Sequence, residues 1–191
     1  MRRRLGAMQG FALGAAWLAG CASIPPSPAP VAQALADVAF SIAGRISARK
    51  GDTGVAGAFT WTHDAPRDTI SLATPLGQTL AELSGDGSGV VAKLQGGRTE
   101  SADTWRALTE RAFGVTIPVD GLSAWVRGVP VVNTPFDAER DAFGRVALLR
   151  QGGWDVVYAY ADDASQRPLR VTLTYPGADA VAVRVVVDQW R

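Results

Sequence analysis

The chain contains one histidine and one cysteine, which restricts the chemistry it can perform. His63 closes an alternating stretch, and no serine nucleophile stands in a G-x-S-x-G setting that it could serve. A zinc site needs three or four Cys, His or carboxylate ligands, and a lone His with a lone Cys falls short. The run "GDGSG" at 85–89 has the glycines of a phosphate loop but not the Lys-Ser/Thr ending or the helix after it, so it reads as a hairpin turn. Asp137, Glu139 and Asp141, and separately Asp162 and Asp163, fall in expected loops. A glycosidase would need two of these carboxylates facing each other across a cleft, which spacing alone cannot establish. The expectation is a protein that is not an enzyme and holds no metal or cofactor.

The cysteine has a clearer context. "MRRR" is a basic opening, and "LGAMQGFALGAAWLA" is a short apolar run that ends in small residues. This is the pattern of a secretory leader, too short for an ordinary membrane span. A single thiol allows no internal disulfide. "LAGC" at 18–21 resembles the bacterial lipobox, which implies that Cys21 is lipidated and becomes the first residue once 1–20 are removed. The net charge then falls from +1 to −2, as Arg2, Arg3 and Arg4 leave with the leader. With no basic stripe, nucleic acid is not an expected partner. Ala22, where enterobacterial lipoproteins kept in the inner membrane carry Asp, favours the outer membrane by analogy. "ASIPPSPAP" completes segment 21–30 as a proline-rich tether, semi-rigid and able to span roughly 3.1 Å per residue.

The remainder, 31–191, reads as one folded domain. Its 47% hydrophobic content supplies a core, and 21 Gly with 11 Pro favour strands and turns over a helical bundle. "VAQALADV" at 31–38 places Val31, Leu35 and Val38 on one helical face. From Phe40 the period becomes two. Phe40, Ile42, Gly44 and Ile46 alternate, then Val55, Gly57, Phe59 and Trp61, then Ile70 and Leu72, followed by "QTLAEL" and "GVVAKLQ". Five strands joined by short turns make an antiparallel meander. Two helices follow. One has Trp105, Leu108 and Ala112 on a stripe, a cap at Ser101 or Asp103 and a stop at Gly114; the other is shorter, with Leu122, Trp125 and Val126, and ends at Gly128. Strands resume as hairpins about Gly152–Gly153 and Pro176–Gly177, and Trp154, Val156, Tyr158 and Tyr160 share one face. So many strands in one sheet must curl, because strands twist.

Several fragments in order then carry a family resemblance: "FSIAGRI" at 40–46, "AFTW" at 58–61, "PLG" at 75–77, "GVTIPV" at 114–119, "LSAWVRGVP" at 122–130, "QGGWDVVY" at 151–158 and "DQW" at 188–190. Behind a lipobox, this set resembles the LolB family of outer-membrane lipoprotein receptors, which share a fold with the LolA carriers. The resemblance implies a mainly β fold with α elements. It is a single curved antiparallel sheet forming an incomplete barrel of about 9–11 strands, with two or three helices over the open side and an apolar cavity between. It implies a monomer, facing the periplasm from the outer membrane, that accepts lipoproteins from a periplasmic LolA-like carrier, binds their acyl chains and inserts them into outer-membrane lipid. Candidate cavity residues are Phe40, Ile42, Ile46, Phe59, Trp61 and Leu72 from the first strands, with Trp105, Leu122, Trp125, Trp154, Val156 and Tyr158 from the helices and later strands. Pro75, Leu76 and Gly77 form the loop on which LolB proteins expose a membrane-directed leucine. Two alternatives stay open: a structural lipoprotein whose barrel core is solid, and an envelope-bound hydrolase.

Overall fold

The computed structural model describes residues 38–177 and 180–191. The leader, Cys21, the tether and most of the helix expected at 31–38 lie outside these residues.

Eleven antiparallel strands form one sheet: β1 (Phe40–Lys50), β2 (Thr53–Asp64), β3 (Arg67–Ala73), β4 (Thr79–Asp86), β5 (Gly89–Leu94), β6 (Thr99–Ala102), β7 (Phe136–Arg140), β8 (Val146–Gln151), β9 (Trp154–Ala159), β10 (Arg170–Tyr175) and β11 (Val181–Trp190). Their order across the sheet is β6-β5-β4-β3-β2-β1-β11-β10-β9-β8-β7. Every neighbour is consecutive in sequence except at the centre, where β1 pairs with β11 and joins the first described strand to the last. The edges are therefore β6 and β7, and the chain between them carries both helices, α1 (Trp105–Phe113) and α2 (Val119–Trp125). The connection across the sheet's open side is thus where the helical material sits.

Alternation places the apolar set inward. Phe59, Trp61 and His63 are buried on β2 while Ala58, Thr60 and Thr62 are exposed; Val181, Val183, Val185 and Val187 do the same on β11. Curvature uses glycine where backbones approach. A side chain at Gly44 would run into the Val186 carbonyl, and one at Gly57 into the Ala73 carbonyl. An extra residue, Asp188, is accommodated where the β1–β11 register shifts beside Gly44.

Some local expectations need correction. The α1 cap is Thr104, whose Oγ1 accepts from the Ala107 N–H at 3.2 Å; Ser101 belongs to β6 instead. Gly114 does end α1, at φ 70°, and its N–H donates to the Glu110 carbonyl. The second helix stops at Trp125, short of Gly128. Asp137 and Glu139 lie on the edge strand β7, and both face Arg150 on β8, at 3.1 and 3.0 Å. Asp162 accepts from the Ser165 N–H, the Ser165 hydroxyl and the Ala164 N–H, which closes its own loop.

Candidate functional site

Where α1, α2 and the segment linking them lie over the inward face of the sheet, an apolar hollow remains. Its sheet wall is Ile46, Phe59, Trp61, Ile70, Leu72, Leu83 and Val185; its helical wall is Thr109, Phe113, Ile117, Val119 and Leu122. The free volume is about 30 Å³, room for about two water molecules. A hollow with such walls stays dry. The one polar side chain in it has no hydroxyl to spare: Thr109 Oγ1 donates to the Trp105 carbonyl at 3.0 Å and accepts from the Ile117 N–H at 2.9 Å. Thr109 thereby fixes the link between the helices against α1 without offering a polar group to an occupant.

A hollow lies where the cavity was expected, but it is much smaller than an acyl chain. Five of the twelve candidates line it: Ile46, Phe59, Trp61, Leu72 and Leu122. The others are inward but packed elsewhere. Phe40 belongs to an aromatic cluster with Trp61 at 5.1 Å, His63 at 5.0 Å and Trp190 at 6.0 Å between ring centroids. Ile42 and Val156 are fully buried core. Trp105 packs against Gly85, where any side chain would strike its ring. Trp125 donates from Nε1 to Gln151 Oε1 at 2.9 Å, and Trp154 meets Tyr175 edge-on at 5.3 Å. Tyr158 is buried with no hydrogen-bond partner for its hydroxyl among the described residues; burial pushes its pKa far above the usual phenol value, which keeps it neutral.

Sequence reasoning missed the polar clamps, because their partners are distant in the chain. Asp68 is buried and accepts from Trp61 Nε1 at 2.6 Å and from His63 Nδ1 at 2.8 Å. The lone histidine is therefore a buried neighbour of the hollow's wall. Gln151, also buried, uses its whole amide. Its Oε1 accepts from Trp125 and the Val131 N–H, and its Nε2 donates to the Val131 and Thr134 carbonyls. It ties α2 and the chain after it to the end of β8. The Arg145 guanidinium binds Asp141 and the carbonyls of Asp162 and Ser165, and lies 4.1 Å from the Tyr160 ring centroid. Asp141 feels burial pushing its pKa up, but the bonds from Arg145 outweigh it and the net shift is downward. Asp120, in the first turn of α2, is pushed up, by burial first and then by the Asp68 carboxylate.

The turn joining β3 and β4 is the second feature. The Gly77 N–H donates to the Thr74 carbonyl at 2.9 Å, Pro75 takes the first corner, and Gly77 adopts φ 81°. The Thr74 N–H donates to the Gln78 carbonyl at 2.8 Å, and Thr74 Oγ1 accepts from the Gln78 N–H. On this firmly bonded loop Leu76 is 89% exposed, the most exposed large apolar side chain among the described residues. It does not fold back onto the sheet.

Residues 38–190 match the family model described as outer membrane lipoprotein LolB. The outer-membrane lipoprotein LolB of Cupriavidus necator is 38% identical over 186 residues, covering 93% of this chain and 93% of that protein. The one from Azoarcus sp. is 34% identical over 178 residues, covering 92% and 90%. The one from Chromobacterium violaceum is 35% identical over 176 residues, covering 91% and 93%. A solved LolA superfamily protein from Nitrosomonas europaea, 7% identical, covers 84% of this chain and 91% of its own with a TM-score of 0.47.

Proposed function

This chain belongs to the LolB family of outer-membrane lipoproteins, and on that premise we propose that it accepts lipoproteins by sheltering their acyl chains between its sheet and its helices, then releases them into the outer membrane. One observation carries the reading: the sheet is unclosed, and the helices that span its gap lie over a dry apolar hollow.

The physical need is simple. A sixteen-carbon acyl chain in water costs on the order of 12 kcal/mol, at roughly 0.8 per methylene. An apolar interior removes most of that cost. The hollow's present volume admits no such chain, so α1, α2 or both must separate from the sheet as it enters. Opening an empty site would expose Phe113, Ile117 and Leu122, each worth roughly 1.5–3 kcal/mol when buried. Methylenes entering between the layers keep those side chains covered. The empty protein is therefore closed and the loaded one open, and cargo supplies the difference. No nucleotide motif occurs in the sequence, so hand-over runs downhill, and a tenfold preference at each step needs about 1.4 kcal/mol.

Cys21 and the tether would hold the domain at the bilayer. Leu76 would then enter lipid, contributing roughly 1.5–3 kcal/mol. That is too little to anchor a protein but sufficient to bias this loop toward the bilayer. The carrier is a LolA-like periplasmic protein. The rival reading, a structural lipoprotein with a solid core, draws on the same small volume and differs in one respect: its helices never leave the sheet. A transfer assay from acyl-loaded carrier to the chain discriminates. Acceptance of cargo without nucleotide is the expected result; no acceptance, with the domain folded, would leave the structural reading standing.

A further inference from the structure

The outer face of the central strands carries an unbalanced charge. Arg45 and Arg49 on β1, Arg184 on β11 and Arg170 on β10 all point outward and are exposed. Register brings them together. Arg45 and Arg170 flank Val186 from opposite sides, so their Cα atoms are roughly 10 Å apart. Arg184 stands two residues further along β11, between Ser47 and Thr172, and Arg49 lies opposite Ala182. Asp188 is the carboxylate on this patch, and Arg45 engages it through Nε at 3.2 Å and Nη2 at 3.0 Å. Arg49, Arg170 and Arg184 have no ion pair among the described residues. The neighbouring outer face is different: there Arg150 alone meets Asp137, Glu139 and Asp155.

Like charges directly opposite on paired strands are destabilising, and here Arg184 stands on the diagonal to both Arg45 and Arg170, still within reach of side chains this long. Single exposed arginines are ordinary, but Arg49, Arg170 and Arg184 stand together with one carboxylate among them, and that clustering complements an anionic surface. We propose that this face docks on the anionic phospholipid surface of a bilayer. The residues are all arginines, whose planar forks match phosphate oxygens in pairs where lysine offers a point charge. The proline-rich segment read at 21–30 permits the contact, since ten residues of such sequence can span roughly 30 Å. The docking goes beyond the receptor reading and does not depend on lipidation, because electrostatic attraction acts on the unanchored chain as well.

The test uses the mature chain with Cys21→Ala, exported behind a cleavable leader, and vesicles of phosphatidylcholine with or without phosphatidylglycerol. Co-sedimentation at low salt should occur only with phosphatidylglycerol and should vanish at high salt. The variant Arg49→Gln/Arg170→Gln/Arg184→Gln should bind on the order of a hundredfold more weakly, with its circular dichroism and its uptake of a fluorescent fatty acid unchanged. The corresponding triple lysine variant keeps the charge and reports on folding; it should retain most of the binding. Two results would overturn the proposal: no binding of the parent chain to phosphatidylglycerol vesicles, or undiminished binding by the glutamine variant, whether alone or together with failure to receive cargo from the carrier. The combination would assign the face to an acidic protein instead. Loss of fatty-acid uptake in the parent chain would count against the receptor reading and leave the docking measurement intact.

Discussion

A covalent staple between α1 and the sheet should abolish acyl-chain uptake reversibly. A Cβ built on Gly114, at the end of α1, would lie 3.8 Å from Thr53 Cβ at the start of β2. That is the mean Cβ separation of a disulfide. The same Cβ would stand 2.5 Å from Thr53 Cγ2, a methyl that Thr53→Cys removes. Gly114 has φ 70°, so Gly114→Cys costs roughly 1–2 kcal/mol. Closing the loop from residue 53 to residue 114 stabilises by about 4 kcal/mol in the chain-entropy treatment. The oxidised double variant, in a Cys21→Ala background, should therefore melt above its reduced form. Oxidation should reduce binding of a fluorescent fatty acid at least tenfold, and dithiothreitol should restore it. If uptake requires α1 to part from the sheet, no other outcome is open to a protein with the bridge intact. Equal affinity in both redox states, with the bridge verified by mass spectrometry, would refute opening through α1 and leave α2 as the helix that moves.

Other perturbations separate the parts. Leu76→Glu should change stability by no more than about 0.5 kcal/mol, because the side chain is 89% exposed; fatty-acid uptake should persist while incorporation into outer-membrane vesicles stalls, and normal incorporation would remove Leu76 from the account. Gln151→Ala strands the Trp125 Nε1–H and the Val131 N–H in a buried setting and should cost about 2–4 kcal/mol in urea unfolding; a loss below about 1 kcal/mol would show that water replaces the amide. The folded state raises the pKa of Asp120 above 3.8, so the folded chain holds that proton more tightly than the unfolded one. This contribution to stability is complete below the unfolded value and is lost as pH rises through the folded one. Asp120→Asn should therefore gain on the parent in melting temperature between pH 3 and pH 7, and a constant difference across that range would contradict the assigned shift.

Much of the architecture was legible because alternation is a strong signal. Phe59 and Trp61, or the four inward valines of β11, announce a half-buried strand whatever surrounds them. The edge strands were not legible. "TESA" on β6 and "FDAER" on β7 are short and largely exposed, so they lack the apolar alternation that identified the others. For the candidate site, alternation gave a face but not a depth. Trp61 and Trp154 carry the same local signal, yet Trp61 lines the hollow and Trp154 packs on Tyr175. What separates them is the position of the helical layer, which depends on contacts such as Thr109 to Ile117 and Gln151 to Trp125. For Leu76 the turn was legible, since a proline and a glycine flank it, but its exposure was implied only by the resemblance to the LolB family, because a turn leucine can also fold back onto its own strands.

The central claim is that acyl chains enter between sheet and helices, and Trp61 reports on that space directly. A brominated sixteen-carbon fatty acid titrated into the protein should quench tryptophan emission saturably, and Trp61→Phe should remove most of the quenchable signal while the fatty acid still binds. Saturable binding whose quenching is untouched by Trp61→Phe would place the chain elsewhere on the molecule and contradict the account.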